Sequence, residues 1–194
     1  QRGGIQDEDS TVDVLQFDTL RDYEDWIGRL NTFPVYMART MALMRQGMKE
    51  RMLHPKIVMQ RVPAQIRKQL VDQPQESPYY KPFRTFTVEL TDAEKQRLQK
   101  DAATAIESRI LPSYRTFLEF FEKEYLPACF DDVGCWQRPD GQKMYAHLAR
   151  RFTTSRLTPQ EIHDIGLAEV KRIRSEMDAV QKEVGFAGTF QEFL

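Results

Sequence analysis

Residues 91–125 read TDAEKQRLQKDAATAIESRILPSYRTFLEFFEKEY, and this stretch decides the fold. It begins with a capping box, in which the Thr91 hydroxyl and the Glu94 carboxylate accept hydrogen bonds from the first backbone amides of a helix. Apolar residues then recur every three or four positions, which predicts an amphipathic helix about 50 Å long. They are Leu98, Ala102, Ile106, Ile110, Tyr114, Leu118, Phe121 and Tyr125.

A proline interrupts this pattern. Pro112 removes one helical hydrogen bond, so it either bends the helix or divides it into two helices that meet at Leu111-Pro112. The half that follows carries aromatic residues on more than one face, which predicts deep burial and places the centre of the core there. The aromatic residues are Phe117, Phe120, Phe121 and Tyr125, and Leu118 lies among them.

Two helices are expected before this element. Thr19 or Asp18 caps a short helix that ends at Asn31, and Pro34 opens a second helix that runs to about Leu53. Five methionines share one face of the second helix. An adaptable contact surface for a partner is one interpretation, because Met repacks easily, and core filling is the favoured one. The methionines are Met37, Met41, Met44, Met48 and Met52.

The segment between these helices and residue 91 is irregular. Pro55 can begin another helix, which Pro63 kinks or splits, and the proline-rich residues 72–82 predict an extended loop. Apolar alternation in residues 83–90 permits one short strand or an extended segment laid on the core. No second candidate strand lies beside it, so no sheet is predicted. The fold class is therefore all-α, an irregular helical array with long amphipathic helices and at most one short extended strand.

Two helices are expected after the central element. One covers residues 144–152, and the other begins at the Thr158 capping box and ends at Gly185. The apolar positions of the second helix predict a buried face, and its charged residues predict a solvated one. The apolar positions are Ile162, Ile165, Leu167, Val170, Ile173, Met177, Val180 and Val184.

Composition excludes several classes of protein. The 194 residues are 41% hydrophobic and 29% charged, as in soluble globular proteins, and no apolar run in this segment is long enough for a membrane span. The net charge of -1 leaves no basic excess for nucleic acid. Cys129 and Cys135 favour free thiols over a disulfide, and they are too few for a zinc site.

The two ends predict that the chain is a piece of a longer protein. The sequence starts at Gln1 without an initiator Met, and residues 1–17 lack helical periodicity, which predicts an irregular segment. A last capping box at Thr189 opens a helix that the sequence cuts short at Leu194. Residues 1–194 are therefore expected to form a single helical segment of a larger domain that continues beyond Leu194.

One histidine is a candidate for chemistry. His163 lies in the first turn of the last long helix, with Asp164 beside it as a counter-charge. Substrate contact or proton donation is one interpretation, and a hydrogen-bonded structural histidine is the favoured one. Residues 166 and 167 are Gly and Leu, so His163 has no partner at helical metal-ligand spacing. No nucleophile elbow, His-Glu-x-x-His motif or P-loop is present, so we expect no catalytic or metal-binding residue here.

Residues 150–154, RRFTT, and 157–170, LTPQEIHDIGLAEV, resemble the bacterial domain-of-unknown-function 885 family, with Tyr145 as a further match. Similarity extends over nearly the whole chain. It includes Arg2-Gly3-Gly4-Ile5-Gln6, the helix from Tyr23 to Leu30, the residues Asn31, Pro34 and Tyr36, the segment Met41–Gly47, Gly185-Phe186 and Phe193-Leu194.

The resemblance implies a helical zinc metallopeptidase, with a His-Glu-x-x-x-Gly-His motif in its second half. This chain lacks that motif. It would then be the middle portion of a longer polypeptide, packed against the remainder of the same chain, which holds the zinc. The family also implies a location in the bacterial cell envelope or periplasm, with or without a lipid anchor.

Two functional hypotheses follow. In the first, the chain is the non-catalytic half of a zinc-dependent peptidase-like hydrolase, and its helices form part of a cleft for a peptide-like substrate. Donor groups that could contact a peptide carbonyl or carboxylate are the candidates for substrate binding. They are Tyr145, Arg151, Thr153, Thr154 and His163. In the second hypothesis, the chain is a helical binding or scaffold module without enzymatic activity.

Overall fold

A computed structural model describes residues 4–194, apart from the side chains of residues 7–9. Arg2 and Gly3, which belong to the family resemblance, lie outside the described residues. Within residues 4–194 the regular structure is helical, and the β-type pairing is a single isolated bridge between Pro55 and Phe130. The predicted all-α class is confirmed, and the strand permitted in residues 83–90 is not formed.

The chain divides into two compact units, Gln1–Pro139 and Asp140–Leu194. The expectation that residues 1–194 are one segment of a larger domain concerns residues beyond Leu194, so it stays a prediction. No helix in the described part of the chain has the length and apolar character that crossing a membrane requires.

The first unit starts with a 3-10 helix, Ile5–Val14, where the sequence predicted an irregular segment. Ile5 and Val12 are buried in the core. The prediction was wrong because it relied on the α-helical period, and a 3-10 turn of three residues repeats differently.

One helix, α1 (Leu20–Lys49), replaces the two that were expected. Thr19 caps it, with the Thr19 hydroxyl accepting from the Asp22 amide and the Asp22 carboxylate accepting in return. Pro34 lies inside the helix, where it removes a hydrogen bond. The helix continues because a single buried stripe extends on both sides of Pro34 and outweighs that loss. The stripe is Tyr23, Trp26, Leu30, Phe33, Met37 and Met41.

The methionines mainly fill the core. Met37 and Met41 are buried, and Met44 and Met48 are half-buried against the core. Met52 lies beyond the end of α1 and is 48% exposed. The core-filling interpretation is therefore confirmed for the four methionines within α1.

Pro63 splits the next helix, as one of the two alternatives predicted, into α2 (Lys56–Met59) and α3 (Val62–Arg67). The proline-rich segment is not an extended loop. It forms two 3-10 helices, Pro74–Glu76 and Pro78–Phe83. The second is held in the core by its aromatic side chains, since Tyr79, Tyr80 and Phe83 are all buried.

The long central helix is present and continuous. It comprises α4 (Asp92–Ala105), α5 (Leu111–Phe120) and α6 (Leu126–Ala128), which are joined by π-helical turns at Ile106–Ile110 and Phe121–Tyr125. Junction residues keep right-handed helical backbone angles, so the chain does not break between these elements.

Each π-helical turn directly precedes a Leu-Pro pair, Leu111-Pro112 or Leu126-Pro127. A proline ring clashes with the carbonyl four residues earlier and brings no N–H to the ladder. The wider π turn fits both restrictions, because its hydrogen bonds reach one residue further along the chain. Pro112 therefore changes the type of turn and does not divide the helix.

The core of the first unit lies between α1 and the central helix. Two buried tyrosines link its parts: Tyr79 donates its hydroxyl proton to the Tyr114 oxygen at 2.6 Å, and the Tyr114 hydroxyl donates to the Ile5 carbonyl at 2.9 Å. The Trp26 indole N–H donates to the Tyr79 carbonyl at 3.0 Å. These bonds join α1, the 3-10 helices and α5 through polar groups that water does not reach.

The second unit contains α7 (Gly141–Thr153), α8 (Pro159–Glu183) and α9 (Phe190–Phe193). The predicted capping boxes at Thr158 and Thr189 are both formed. Hydrogen bonds from Thr158 lower the pKa of the Glu161 carboxyl, so the carboxylate is the form that the helix start stabilises.

The predicted buried face of α8 is wrong, because none of the residues 159–183 is buried. Six large apolar residues of its face are between 45% and 67% exposed. They are Ile165, Leu167, Val170, Ile173, Val180 and, just after the helix, Val184. Periodicity identified the apolar face correctly, but the described residues do not cover it.

Candidate functional site

The five residues predicted to contact substrate all lie in the second unit. Tyr145 and Arg151 are on α7, Thr153 and Thr154 are at its end, and His163 is near the start of α8. All five are solvent-exposed. About 12 Å of helix axis separates Tyr145 from Thr153, since each residue advances the helix by 1.5 Å.

The two threonine hydroxyls already donate to the backbone. Thr153 Oγ1 donates to the Ala149 carbonyl at 2.8 Å, and Thr154 Oγ1 donates to the Thr153 carbonyl at 2.7 Å. Thr154 has a φ of 55°, a left-handed conformation that ends α7. Both residues therefore serve the helix end, and their oxygens can offer a substrate lone pairs more readily than protons.

Arg151 and His163 are both exposed to solvent. The Arg151 guanidinium carbon lies 5.9 Å from the centre of the Phe152 ring, at the outer limit of a cation–π contact. The counter-charge expected for His163 is engaged elsewhere, because Asp164 accepts from Gln160 Nε2 at 2.7 Å. No hydrogen bond joins Arg151, Thr153 and His163 to one another, and their substrate role stays a prediction.

Sequence reasoning missed a polar cluster in the first unit. Arg138 Nε donates to the Leu53 carbonyl at 2.6 Å, and Arg138 Nη2 donates to His54 Nδ1 at 2.7 Å. His54 and Arg138 are half-buried. These residues are 84 positions apart, so no local pattern could have brought them together.

Neighbouring contacts join the same two segments, the one that follows α1 and residues 129–138. The Lys56 amide donates to the Phe130 carbonyl at 2.6 Å, and Lys56 Nζ pairs with Asp131 at 2.6 Å. The Cys129 thiol donates to the Tyr125 carbonyl at 3.3 Å. Residues 129–138 are thereby held against the segment that follows α1.

The titration of this cluster suits a structural role. Burial raises the pKa of the Cys129 thiol to about 11, so at neutral pH the group is a protonated thiol and a poor nucleophile. Cys129 and Cys135 are thiols and are not joined by a disulfide, in agreement with the favoured sequence interpretation. Burial, together with the adjacent Arg138 guanidinium, holds the pKa of His54 below its usual range. The Nδ1 atom of His54 accepts from Arg138, which places the proton of the neutral ring on Nε2.

The depressed pKa of His54 makes stability depend on pH. Because the unfolded chain takes up this proton first as pH falls, His54 lowers the free energy of unfolding below about pH 6.5 and has no effect above it. We expect the urea midpoint to fall between about pH 7.5 and about pH 5.5 in the natural protein, and to fall less in His54→Gln.

The exposed His163 provides the matched control for this measurement. His163→Gln should retain the pH dependence of the natural protein, since its side chain is in solvent. Equal slopes for the natural protein and His54→Gln would show that His54 contributes nothing to the pH dependence.

Zinc, which the family resemblance implies, was tested against the residues of this chain. Within residues 4–194, the side chains of 7–9 excepted, no three His, Cys, Asp or Glu residues are close enough to hold a metal ion. A zinc site needs three or four such ligands. The described residues therefore do not fit a zinc site, and no chemical step through zinc can be derived for them.

A family model and a solved structure match this chain. The model of a family described as "Bacterial protein of unknown function (DUF885)" matches residues 2–194. A crystal structure of a protein described as a "putative lipoprotein" from Colwellia psychrerythraea is similar, with a TM-score of 0.77 and 25% sequence identity. The match covers 91% of this chain and 31% of the Colwellia chain. No curated protein matches the sequence significantly.

Proposed function

This chain belongs to the DUF885 family of bacterial proteins, and from that premise we propose that it is a non-catalytic, helical part of a zinc-dependent peptidase-like hydrolase. Its helices would form part of a cleft for a peptide-like substrate. The zinc ligands and the catalytic residues would lie in the remainder of the same polypeptide.

The main support for this proposal is that the solved relative is much longer than the part of it that this chain matches. The chain corresponds to 31% of the Colwellia psychrerythraea protein, so more than two-thirds of that relative lies outside the match. A function that requires metal ligands can therefore be divided between this chain and residues beyond it. The name of the relative also supports a proposed location in the bacterial cell envelope or periplasm, with or without a lipid anchor.

Within this proposal, α7 and the start of α8 would bind substrate. Arg151 offers a planar cation that can form two hydrogen bonds to a carboxylate, and His163 offers a ring nitrogen at the helix start. Tyr145, Thr153 and Thr154 would contribute hydroxyl oxygens. These residues would hold and orient a peptide, and they would take no part in bond cleavage.

The test uses the complete natural polypeptide that contains residues 1–194. We expect about one zinc ion per polypeptide, as one catalytic site requires, and hydrolysis of peptides that stops when a chelator removes the metal. Elemental analysis and mass spectrometry of a peptide mixture provide the two readouts. A complete protein that holds no zinc and cleaves no peptide would contradict the proposal.

One variant separates a substrate cleft from a scaffold in the same assay. Arg151→Met in the complete protein should raise KM while the zinc content stays unchanged, because it removes a substrate contact and no metal ligand. Arg150→Met is the matched control, since Arg150 is an exposed neighbour on the same helix. Equal KM values for the two variants would remove Arg151 from the substrate site.

The second candidate function is a helical binding or scaffold module without enzymatic activity. The exposed apolar face of α8 favours it, because such a face is suited to a partner. The methionines of α1 do not, since Met37 and Met41 are buried. Binding of a partner by a complete protein that has neither zinc nor hydrolytic activity would select this function.

A further inference from the structure

The second unit exposes the apolar face of α8 to solvent. α8 has 25 residues, or about 37 Å of helix, and exposes Ile165, Val170, Ile173 and Val180 by 45% to 67%. Single exposed apolar residues are common on protein surfaces, but a row of them at helical spacing marks an interaction surface. We call this row, with Gly166, the α8 face.

Several charged residues of α8 are paired with each other within the helix. Arg172 bonds to Glu169 at 2.8 Å and to Glu176 at 2.6 Å, and Arg174 bonds to Asp178 at 3.0 Å. Pairs at this spacing stabilise a helix by a few tenths of a kcal/mol each. These charges on the polar side of α8 therefore have partners in their own helix, whereas large apolar residues on the other side are exposed to water.

Gly166 indicates what kind of partner fits. A glycine inside a helix is unfavourable, and a Cβ added at Gly166 would meet nothing within 4 Å in this structure. Gly166 lies four residues from Ile162 and four from Val170, on the apolar face. A residue without a side chain there allows another backbone to approach closely, which is a property that helix packing uses.

We propose that, in the complete polypeptide, a helix from outside residues 1–194 packs along the α8 face and makes its closest approach at Gly166. The solved relative indicates where such a helix would come from, because over two-thirds of its chain lies outside the region matched here. This inference shares with the proposed function the premise of a longer polypeptide, but it requires neither zinc nor hydrolysis.

The test measures the reactivity of cysteines placed on the two sides of α8 in the complete polypeptide. Val170→Cys lies on the α8 face, and Lys171→Cys on the charged side is its matched control. Maleimide labelling is followed at each position by peptide mass mapping, in native buffer and in urea. We expect native structure to slow labelling at position 170 at least about tenfold, and to leave position 171 nearly unchanged.

Equal labelling at positions 170 and 171 in the native protein would overturn the proposal. Protection that disappears on dilution would assign the face to a second copy of the chain, and protection that appears only with added lipid vesicles would assign it to a membrane surface. Both results overturn the intramolecular occupant. Ile173→Cys repeats the measurement should Val170→Cys fail to fold. Zinc content and hydrolysis are separate readouts, so the proposed function can fail while this inference holds.

A second measurement tests the close approach at Gly166. We expect Gly166→Ala to lower the thermal midpoint of the complete polypeptide, because the added methyl group meets the packed backbone. Gly28→Ala is the control: Gly28 is an exposed glycine inside α1 with nothing within 4 Å of an added Cβ, so alanine should raise the midpoint through its helix propensity. A rise for both variants would overturn the close approach.

Discussion

Replacing Tyr114 with alanine is expected to lower the free energy of unfolding of the chain by about 4 kcal/mol, as large-to-small aromatic substitutions in a core do. The Tyr114 side chain is fully buried, with its ring centre 5.5 Å from that of Phe33 and 6.3 Å from that of Tyr79. Its loss leaves a cavity between α1 and α5. It also removes the oxygen that accepts from Tyr79 and the proton given to the Ile5 carbonyl.

Tyr114→Phe separates the ring from the hydroxyl. It retains the packing and loses the two hydrogen bonds, so a decrease of about 1 to 2 kcal/mol is expected. Urea unfolding followed by tryptophan fluorescence measures both variants, because the Trp26 indole is bonded to Tyr79 in the same cluster. Equal stability of Tyr114→Ala and the natural protein would show that this cluster is not the centre of the core.

Local signals in the sequence predicted the helix starts well. The caps at Thr19, Thr91 and Thr158 are formed as expected, because a capping box involves residues only three positions apart. Pro34 shows the limit of such signals. A proline predicts a helix start, but the burial of Phe33 and the residues around it depends on distant parts of the chain and keeps α1 continuous.

The periodicity of the sequence predicted which side of each helix is apolar. It could not predict whether another part of the protein packs against that side. The stripe through Leu98 and Ile106 is buried as expected, whereas the equally regular stripe through Val170 and Ile173 is exposed. Both faces are apolar because both suit packing. The difference lies in whether a partner is present among the described residues, and a helical pattern carries no information on that.

The candidate sites show a similar division. The positions of Arg151 and His163 on helices were predictable, because caps and turns locate the helices themselves. The contact between His54 and Arg138 was not, because it joins two loops that are distant in the sequence. Loop-to-loop contacts of this kind depend on how the helices between them pack, which residue spacing does not encode.

The other large expected effect concerns Phe83, the residue that directly follows the predicted loop of residues 72–82. Phe83 ends the 3-10 helix Pro78–Phe83 and is fully buried, with its ring centre 5.8 Å from that of Tyr23 and 5.6 Å from that of Tyr80. We expect Phe83→Ala to lower the free energy of unfolding by about 4 kcal/mol, because the change opens a cavity at the junction of this segment with α1. A phenylalanine exposed on the surface would lose almost nothing on this change.

Two further variants make this measurement specific to the core. Phe83→Leu fills most of the space and should cost about 1 kcal/mol, since volume-conserving changes are tolerated. Phe86→Ala removes a half-buried ring from the same cluster and should cost less than Phe83→Ala, because less of its surface is withdrawn from water. Urea midpoints in the order Phe83→Leu, Phe86→Ala, Phe83→Ala, from highest to lowest, would establish that the proline-rich segment belongs to the core. Equal midpoints for Phe83→Ala and the natural protein would show that this segment does not belong to the core.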